Sequence, residues 1–151
     1  MITLKIGDKA PYFKGKDQNG NYVQLDDFAG KNLILYFYPK DNTPGCTAEA
    51  CNLRDNYALF LKKGYAVVGI SADNEKSHQK FIEKFNLPFP LIADTDKEIL
   101  KAYGVWGPKK FMGRTYDGIN RTTFVISEVG IISEIIEKVD TKNHSQQLLP
   151  N

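Results

Sequence analysis

Leu33-Ile34-Leu35-Tyr36-Phe37 runs into Tyr38-Pro39, and after Lys40-Asp41-Asn42 comes Thr43-Pro44-Gly45-Cys46. The unbroken apolar run suits a strand buried on both faces. Pro39 closes it, because proline has no N–H to give to a central strand. Thr43 fits a helix N-cap and Pro44 the first helical residue. The stretch therefore predicts strand, short loop, helix. The helix is expected over residues 43–63, with Gly64 as its stop and Ala50, Leu53, Tyr57, Phe60 and Leu61 as its apolar face.

The same reading extends outward in both directions. Tyr12-Phe13 and Tyr22-Val23-Gln24-Leu25 flank Gln18-Asn19-Gly20-Asn21, and Asn-Gly between apolar segments signals a hairpin. Residues 66–70 read as a second buried strand. Residues 74–85 read as a helix with Phe81, Ile82 and Phe85 inward. Residues 91–93 form a short strand, and Asp94 or Thr95 caps a helix running through Tyr103. The glycine-rich residues 104–118 carry no predicted element. Residues 122–126 and 131–136 pair as a hairpin around Glu128-Val129-Gly130. The tail, residues 140–151, is polar, with room for one last helix ending at Leu148-Leu149. Strands alternating with helices, then a strand pair, predict an α/β sandwich with a central mixed sheet flanked by helices. That pattern is compatible with a thioredoxin-like layout. Neither repeat nor linker divides the chain, so residues 1–151 are expected to form a single domain.

Composition narrows the function classes. The 20 Lys+Arg against 18 Asp+Glu leave a net charge of +2, without the basic excess of a nucleic-acid binder. The apolar runs are too short to span a bilayer. The start, Met1-Ile2-Thr3-Leu4-Lys5, lacks the pattern of a secretory leader, so a cytoplasmic protein is expected. Only two cysteines occur, Cys46 and Cys51. A chain of this length needs no disulfide to fold, and His78 and His144 do not complete a zinc-ligand pattern. The cysteines are thus either incidental or redox-active.

On a helical wheel Cys46 shares a stripe with Ala50, Leu53 and Tyr57, whereas Cys51 lies about 140° away on the wetter side. Cys46 reads equally as a small core residue and as a reactive thiol. Its place in the first helical turn, with unpaired N–H groups and the positive end of the dipole, favours an anion there. Thr43 can bring a hydroxyl beside the sulfur, and Pro39 and Pro44 hold the loop over it. Five helical residues separate the two Cα atoms by about 8.6 Å, beyond the roughly 7 Å a disulfide tolerates. The pair can bond only after the first turns unwind, which suits a cycle better than a staple.

The segment Pro39-Lys40-Asp41-Asn42-Thr43-Pro44-Gly45-Cys46-Thr47-Ala48-Glu49-Ala50-Cys51 resembles the active-site signature of peroxiredoxins, in particular the bacterioferritin-comigratory or peroxiredoxin Q subgroup. Gly7-Asp8-Lys9-Ala10-Pro11, Ile70-Ser71-Ala72-Asp73, Tyr103-Gly104-Val105-Trp106-Gly107, residues 109–114 and residues 118–124 are similar to that subgroup too. The resemblance covers nearly the whole chain. It departs at Asn52-Leu53, where relatives often carry an aromatic second residue, at Thr122, where serine is usual, and in the polar tail.

The resemblance implies a thioredoxin-like fold and thiol-dependent reduction of hydroperoxides. Cys46 would be the nucleophile and Cys51 the resolving thiol, giving an intramolecular disulfide that a thioredoxin-like dithiol reduces. Thr43 and Arg121 would bind thiolate and peroxide, and Glu49 would orient Arg121. Without the resemblance Arg121 and Glu49 read as surface charges, and Tyr38 and Trp106 as core aromatics that could also ring a pocket. Neither a cofactor nor a metal is implied, and a monomer is expected. Two other readings remain: a peroxide sensor or redox-gated chaperone using the same switch, and a structural domain with inert thiols. His78 is expected at the edge of the core, and His144 solvated in the tail.

Overall fold

The computed structural model describes residues 2–149. Met1, Pro150 and Asn151, the last two at the end of the predicted tail, lie outside them. The decisive stretch forms β3 (Asn32–Phe37), preceded by the hairpin β1 (Lys14–Lys16) and β2 (Tyr22–Gln24) and followed by α1 (Pro44–Asp55). Then come α2 (Tyr57–Lys62), β4 (Tyr65–Ser71), α3 (Glu75–Phe85), β5 (Leu91–Ala93) and α4 (Glu98–Ala102). The chain continues through β6 (Trp106–Phe111), β7 (Arg114–Ile119), β8 (Thr122–Ile126), β9 (Ile132–Ile136) and α5 (His144–Leu148).

The main sheet runs β5-β4-β3-β8-β9. β3 pairs parallel with β4 and antiparallel with β8, so it is the central strand. This is the expected mixed sheet with helices against it. Side chains alternate across β3: Leu33, Leu35 and Phe37 join one apolar cluster, and Ile34, Tyr36 and Tyr38 join the other. All six are at most 1% exposed, and each contributes about 1.5–3 kcal/mol by burial. The second cluster takes in Cys46, Ala50 and Leu53 from α1 and Leu148 from α5.

Several expectations are corrected. The helix predicted over residues 43–63 is two helices broken at Asn56, whose side-chain amide donates to the Asn52 carbonyl (2.9 Å). Such a bond to the i−4 carbonyl competes with the helix ladder. The break resets the phase, so Phe60 is buried while Leu61 is exposed. The glycine-rich stretch is the hairpin β6–β7, turned at Met112-Gly113, both with positive φ. The first arm of the N-terminal hairpin, β1, covers Lys14–Lys16 and not Tyr12-Phe13, and β9 begins at Ile132 rather than Ile131. α4 starts after Lys97, not at Asp94 or Thr95, although Asp94 Oδ2 still accepts from the Leu100 N–H (2.8 Å). The last helix exists and is fastened to α1. Asn52 Oδ1 accepts from Ser145 N–H (2.7 Å), and its Nδ2 donates to the Lys142 carbonyl (3.0 Å).

Candidate active site

Parity on β8 decides what meets the first turn of α1. Phe124 and Ile126 face one cluster, and Val125 faces the other. By the same alternation Arg121 and Thr123 look toward the α1 side. On α1, Cys46, Glu49, Ala50 and Leu53 are the buried residues, an i, i+3, i+4, i+7 stripe. Glu49 is therefore not a solvated charge: its side chain is 0% exposed. Arg121 spans both residues, with Nη1 donating to Glu49 Oε1 (2.7 Å) and Nη2 to Cys46 Sγ (3.3 Å). A planar guanidinium has the donors to hold two acceptors in a fixed geometry.

Gly45 leaves room for that fork. A Cβ there would lie 3.2 Å from Arg121 Nη2. The sequence reading gave Gly45 no role, though a glycine inside a helix's first turn, where most residues serve, was a signal.

Burial pushes the Glu49 carboxyl up to about 7 against the opposing pull of Arg121. Burial also opposes the Arg121 charge, but the neighbouring Cys46 and Glu49 outweigh it and hold the guanidinium above its ordinary value. Lys109, which donates to the Ile119 carbonyl (2.8 Å), is shifted down by burial and by Arg121. Arg121 borders an open cleft with Pro108, Asn120 and Glu137.

Thr43 occupies the N-cap position, but its hydroxyl donates to the Lys40 carbonyl (2.8 Å) and accepts from no amide of the helix. It makes no hydrogen bond to Cys46. The first intrahelical bond runs from Thr47 N–H to the Thr43 carbonyl (2.8 Å). Pro44 has no N–H, and the Gly45 and Cys46 amides, in the first turn with no side-chain cap, keep no acceptor among the described residues. Two amide dipoles are thus free at the sulfur's end of the helix. Pro39 sits half-buried just past β3, as expected of a strand stop. Cys51 is half-buried on the same helix, and both thiols are free. Trp106 packs with the opposite cluster from Cys46 and does not ring the thiol, whereas Tyr38 shares the thiol's cluster.

The loop before α1 is pinned by Asp41. Its carboxylate accepts from the Tyr38 hydroxyl (2.6 Å) and the Ser77 hydroxyl (2.7 Å) and meets His78 Nδ1 at 2.7 Å. The Asp41 N–H donates to Asp73 (2.8 Å), and His78 Nε2 lies 3.0 Å from the Ile92 carbonyl. His78 is thus fully buried, not at the core edge. Asp41, Asp73 and His78 bring ligand atoms within 4.8 Å of one another, but these hydrogen bonds already occupy them, and a metal would have to displace them.

His144 also departs from expectation. It is 0% exposed, because Leu148 one turn later is buried in the same cluster as Cys46. The i, i+4 spacing of His144 and Leu148 was the signal in the sequence.

A buried, arginine-paired thiol at a helix start, on a mixed sheet of this order, defines a thiol-based oxidoreductase. The comparisons sharpen the class. Residues 6–135 match the AhpC/TSA family. The chain is 46% identical to Escherichia coli (strain K12) peroxiredoxin Bcp, over 99% of this chain and 96% of that protein. A PrxQ cysteine-to-serine mutant from Xylella fastidiosa superposes with a TM-score of 0.91 at 32% identity, covering 97% of this chain and 94% of that one. The Xanthomonas campestris bacterioferritin comigratory protein, described for its alkyl peroxide reduction activity, superposes with a TM-score of 0.87 at 32% identity, covering 99% and 96%. The chain belongs to the AhpC/TSA family, as a thiol peroxidase of the peroxiredoxin Bcp or peroxiredoxin Q group.

Proposed function

We propose that Cys46 is the peroxidatic nucleophile and that it reduces hydrogen peroxide and organic hydroperoxides. The single observation that carries this reading is the Arg121 fork, 3.3 Å from Cys46 Sγ and 2.7 Å from Glu49 Oε1. The Cys46 thiolate attacks one peroxide oxygen, the O–O bond breaks, and a sulfenic acid forms with release of water or an alcohol once the leaving oxygen takes a proton. Arg121 and the free Gly45 and Cys46 amides stabilise the charge that moves onto that oxygen. The Thr43 hydroxyl, directed at the Lys40 carbonyl, keeps acceptor capacity for the peroxide O–H. Glu49 orients Arg121, and Pro39 ends β3 so that the loop can close over the thiol.

Cys51 then resolves the sulfenic acid. Both thiols sit on α1, so their disulfide requires its first turns to unwind. The disulfide passes to a thioredoxin-like dithiol by exchange. This reading takes the chain as one domain, a cytoplasmic monomer needing neither metal nor organic cofactor. Support for the alkyl substrates comes from the Xanthomonas protein. Among the described residues, no helix is long and apolar enough to cross a membrane.

The test is steady-state turnover with thioredoxin, its reductase and NADPH. The wild type should turn over, Cys46→Ser should be inert, and Cys51→Ser should stop after one turnover unless a small thiol is added. A Cys46→Ser protein that turns over like the wild type would overturn the reading.

A further inference from the structure

Glu49 offers Arg121 only one of its oxygens. The other, Oε2, is buried with no hydrogen-bond partner among the described residues. The histidine facing it is His144 from α5, whose Nε2 lies 3.6 Å away, with both side chains 0% exposed. The hydrogen bonds around the imidazole define its tautomer. Gln147 Nε2 donates to the Lys138 carbonyl (3.0 Å), and Gln147 Oε1 accepts from Asp140 N–H (3.0 Å). That oxygen is therefore an acceptor, and His144 Nδ1, 2.7 Å from it, carries the proton. In a neutral ring Nε2 is then a lone pair that accepts from the Thr123 hydroxyl (2.8 Å) and lies 3.6 Å from Glu49 Oε2.

We propose that His144 is a positioning residue of the peroxidase: its Nε2 lone pair, 3.6 Å from Glu49 Oε2, favours a proton on that oxygen, and that proton sets how firmly Glu49 holds Arg121 against Cys46. The inference rests on the Cys46 reading above. The groups facing the pair are Cys46 on the same helix, Arg121 ahead of β8, Tyr36 on β3 and Asp140 ahead of α5. At 3.6 Å Oε2 and Nε2 are not hydrogen-bonded, and the Thr123 hydroxyl donates to the Nε2 lone pair, so the ring presents its negative side to Oε2 and disfavours the ionised carboxylate. This agrees with burial raising Glu49 and lowering His144, the latter aided by Arg121. No second donor competes for Oε2, so its proton and the strength of the Arg121 fork are linked through one carboxyl group. α5 thereby reaches the reaction centre without touching the peroxide.

Two replacements separate this role from simple packing. His144→Phe keeps a ring and offers Oε2 no proton acceptor or donor. His144→Gln places an amide N–H where Nε2 stood. The readout is the second-order rate of thiol oxidation by hydrogen peroxide across pH, followed by stopped flow. The acid-side midpoint should move down in both variants, by about one pH unit in His144→Gln, whose N–H can donate to the ionised Oε2, roughly tenfold in the proton equilibrium, and by less in His144→Phe, which only removes the lone pair. Midpoints unmoved in both would overturn the proposal, whatever the rates. In parallel, infrared titration of the reduced wild-type protein should show a buried carboxylic-acid band that disappears near pH 7 and is missing in Glu49→Gln. Absence of that band would overturn the proposal without reference to peroxide chemistry. If the band is present while the wild-type thiol ignores peroxide, the Cys46 reading fails instead, and with it the positioning role. The infrared measurement needs no change at position 144, so a misfolded variant does not decide the matter.

Discussion

Glu49→Gln keeps the shape of the side chain and removes the charge that Arg121 faces at 2.7 Å. In the unfolded chain the carboxyl titrates near its ordinary 4.5, and in the folded protein burial raises it to about 7. The folded state therefore binds the proton more tightly. Its stabilising effect is fully present below pH 4.5 and is lost as the pH rises through about 7. At 1.36 kcal/mol per unit, the shift corresponds to about 3 kcal/mol. The stability of the wild type minus that of Glu49→Gln should fall by about that amount between pH 4.5 and pH 8, measured by denaturant unfolding. Activity should diverge in the opposite sense. Above pH 7 the wild type holds Arg121 with an ion-paired hydrogen bond, and glutamine offers the same guanidinium only a neutral acceptor, a difference of about 1–1.5 kcal/mol. The oxidation rate of Glu49→Gln should then be about tenfold lower at pH 8 and close to wild type at pH 5.5. Titrations common to both proteins cancel in that ratio. A rate ratio constant over this range, together with parallel stability curves, would refute the placement of an ionising Glu49 behind Arg121.

Arg121→Lys keeps the charge and loses the fork, since one ammonium cannot span both Cys46 and Glu49 as Nη2 and Nη1 do. One charge-assisted bond is worth about 1.5–3 kcal/mol, so stopped-flow oxidation should slow by about 10- to 150-fold; a rate within threefold of wild type would contradict the bridging role. Gly45→Ala places a Cβ 3.2 Å from Arg121 Nη2. Peroxide oxidation should slow by about fivefold, an effect of about 1 kcal/mol, while thermal melting shows the protein as stable as wild type or more so, because alanine restricts the unfolded chain.

The central strand and the start of α1 were legible because burial writes itself into local pattern: Leu33 through Phe37 are apolar without interruption, and Thr43-Pro44 marks a helix entry. The β6–β7 hairpin was not. Its tip is solvent-facing, with Phe111 64% and Met112 88% exposed, so no buried face imposes an apolar alternation, and only Gly113 hints at the turn. The break at Asn56 depends on one side chain bonding its own helix, which periodicity does not register. Within the candidate site, Cys46, Cys51 and Thr43 stood out by position on a helix, whereas Arg121 and Glu49, which the resemblance alone pointed to, otherwise looked like surface charges until β8 and α1 were packed together. The burial of His144 depends on α5 docking through Asn52 and Ser145, a contact between residues ninety-three positions apart.

The most direct measurement adds one equivalent of hydrogen peroxide to the fully reduced protein, takes its intact mass, and digests it without reductant. The expected result is a mass lower by two hydrogens and a peptide cross-linked between Cys46 and Cys51. An added oxygen retained on Cys46 with Cys51 free would contradict resolution by Cys51, and an unchanged mass would contradict the peroxidase chemistry of Cys46 altogether.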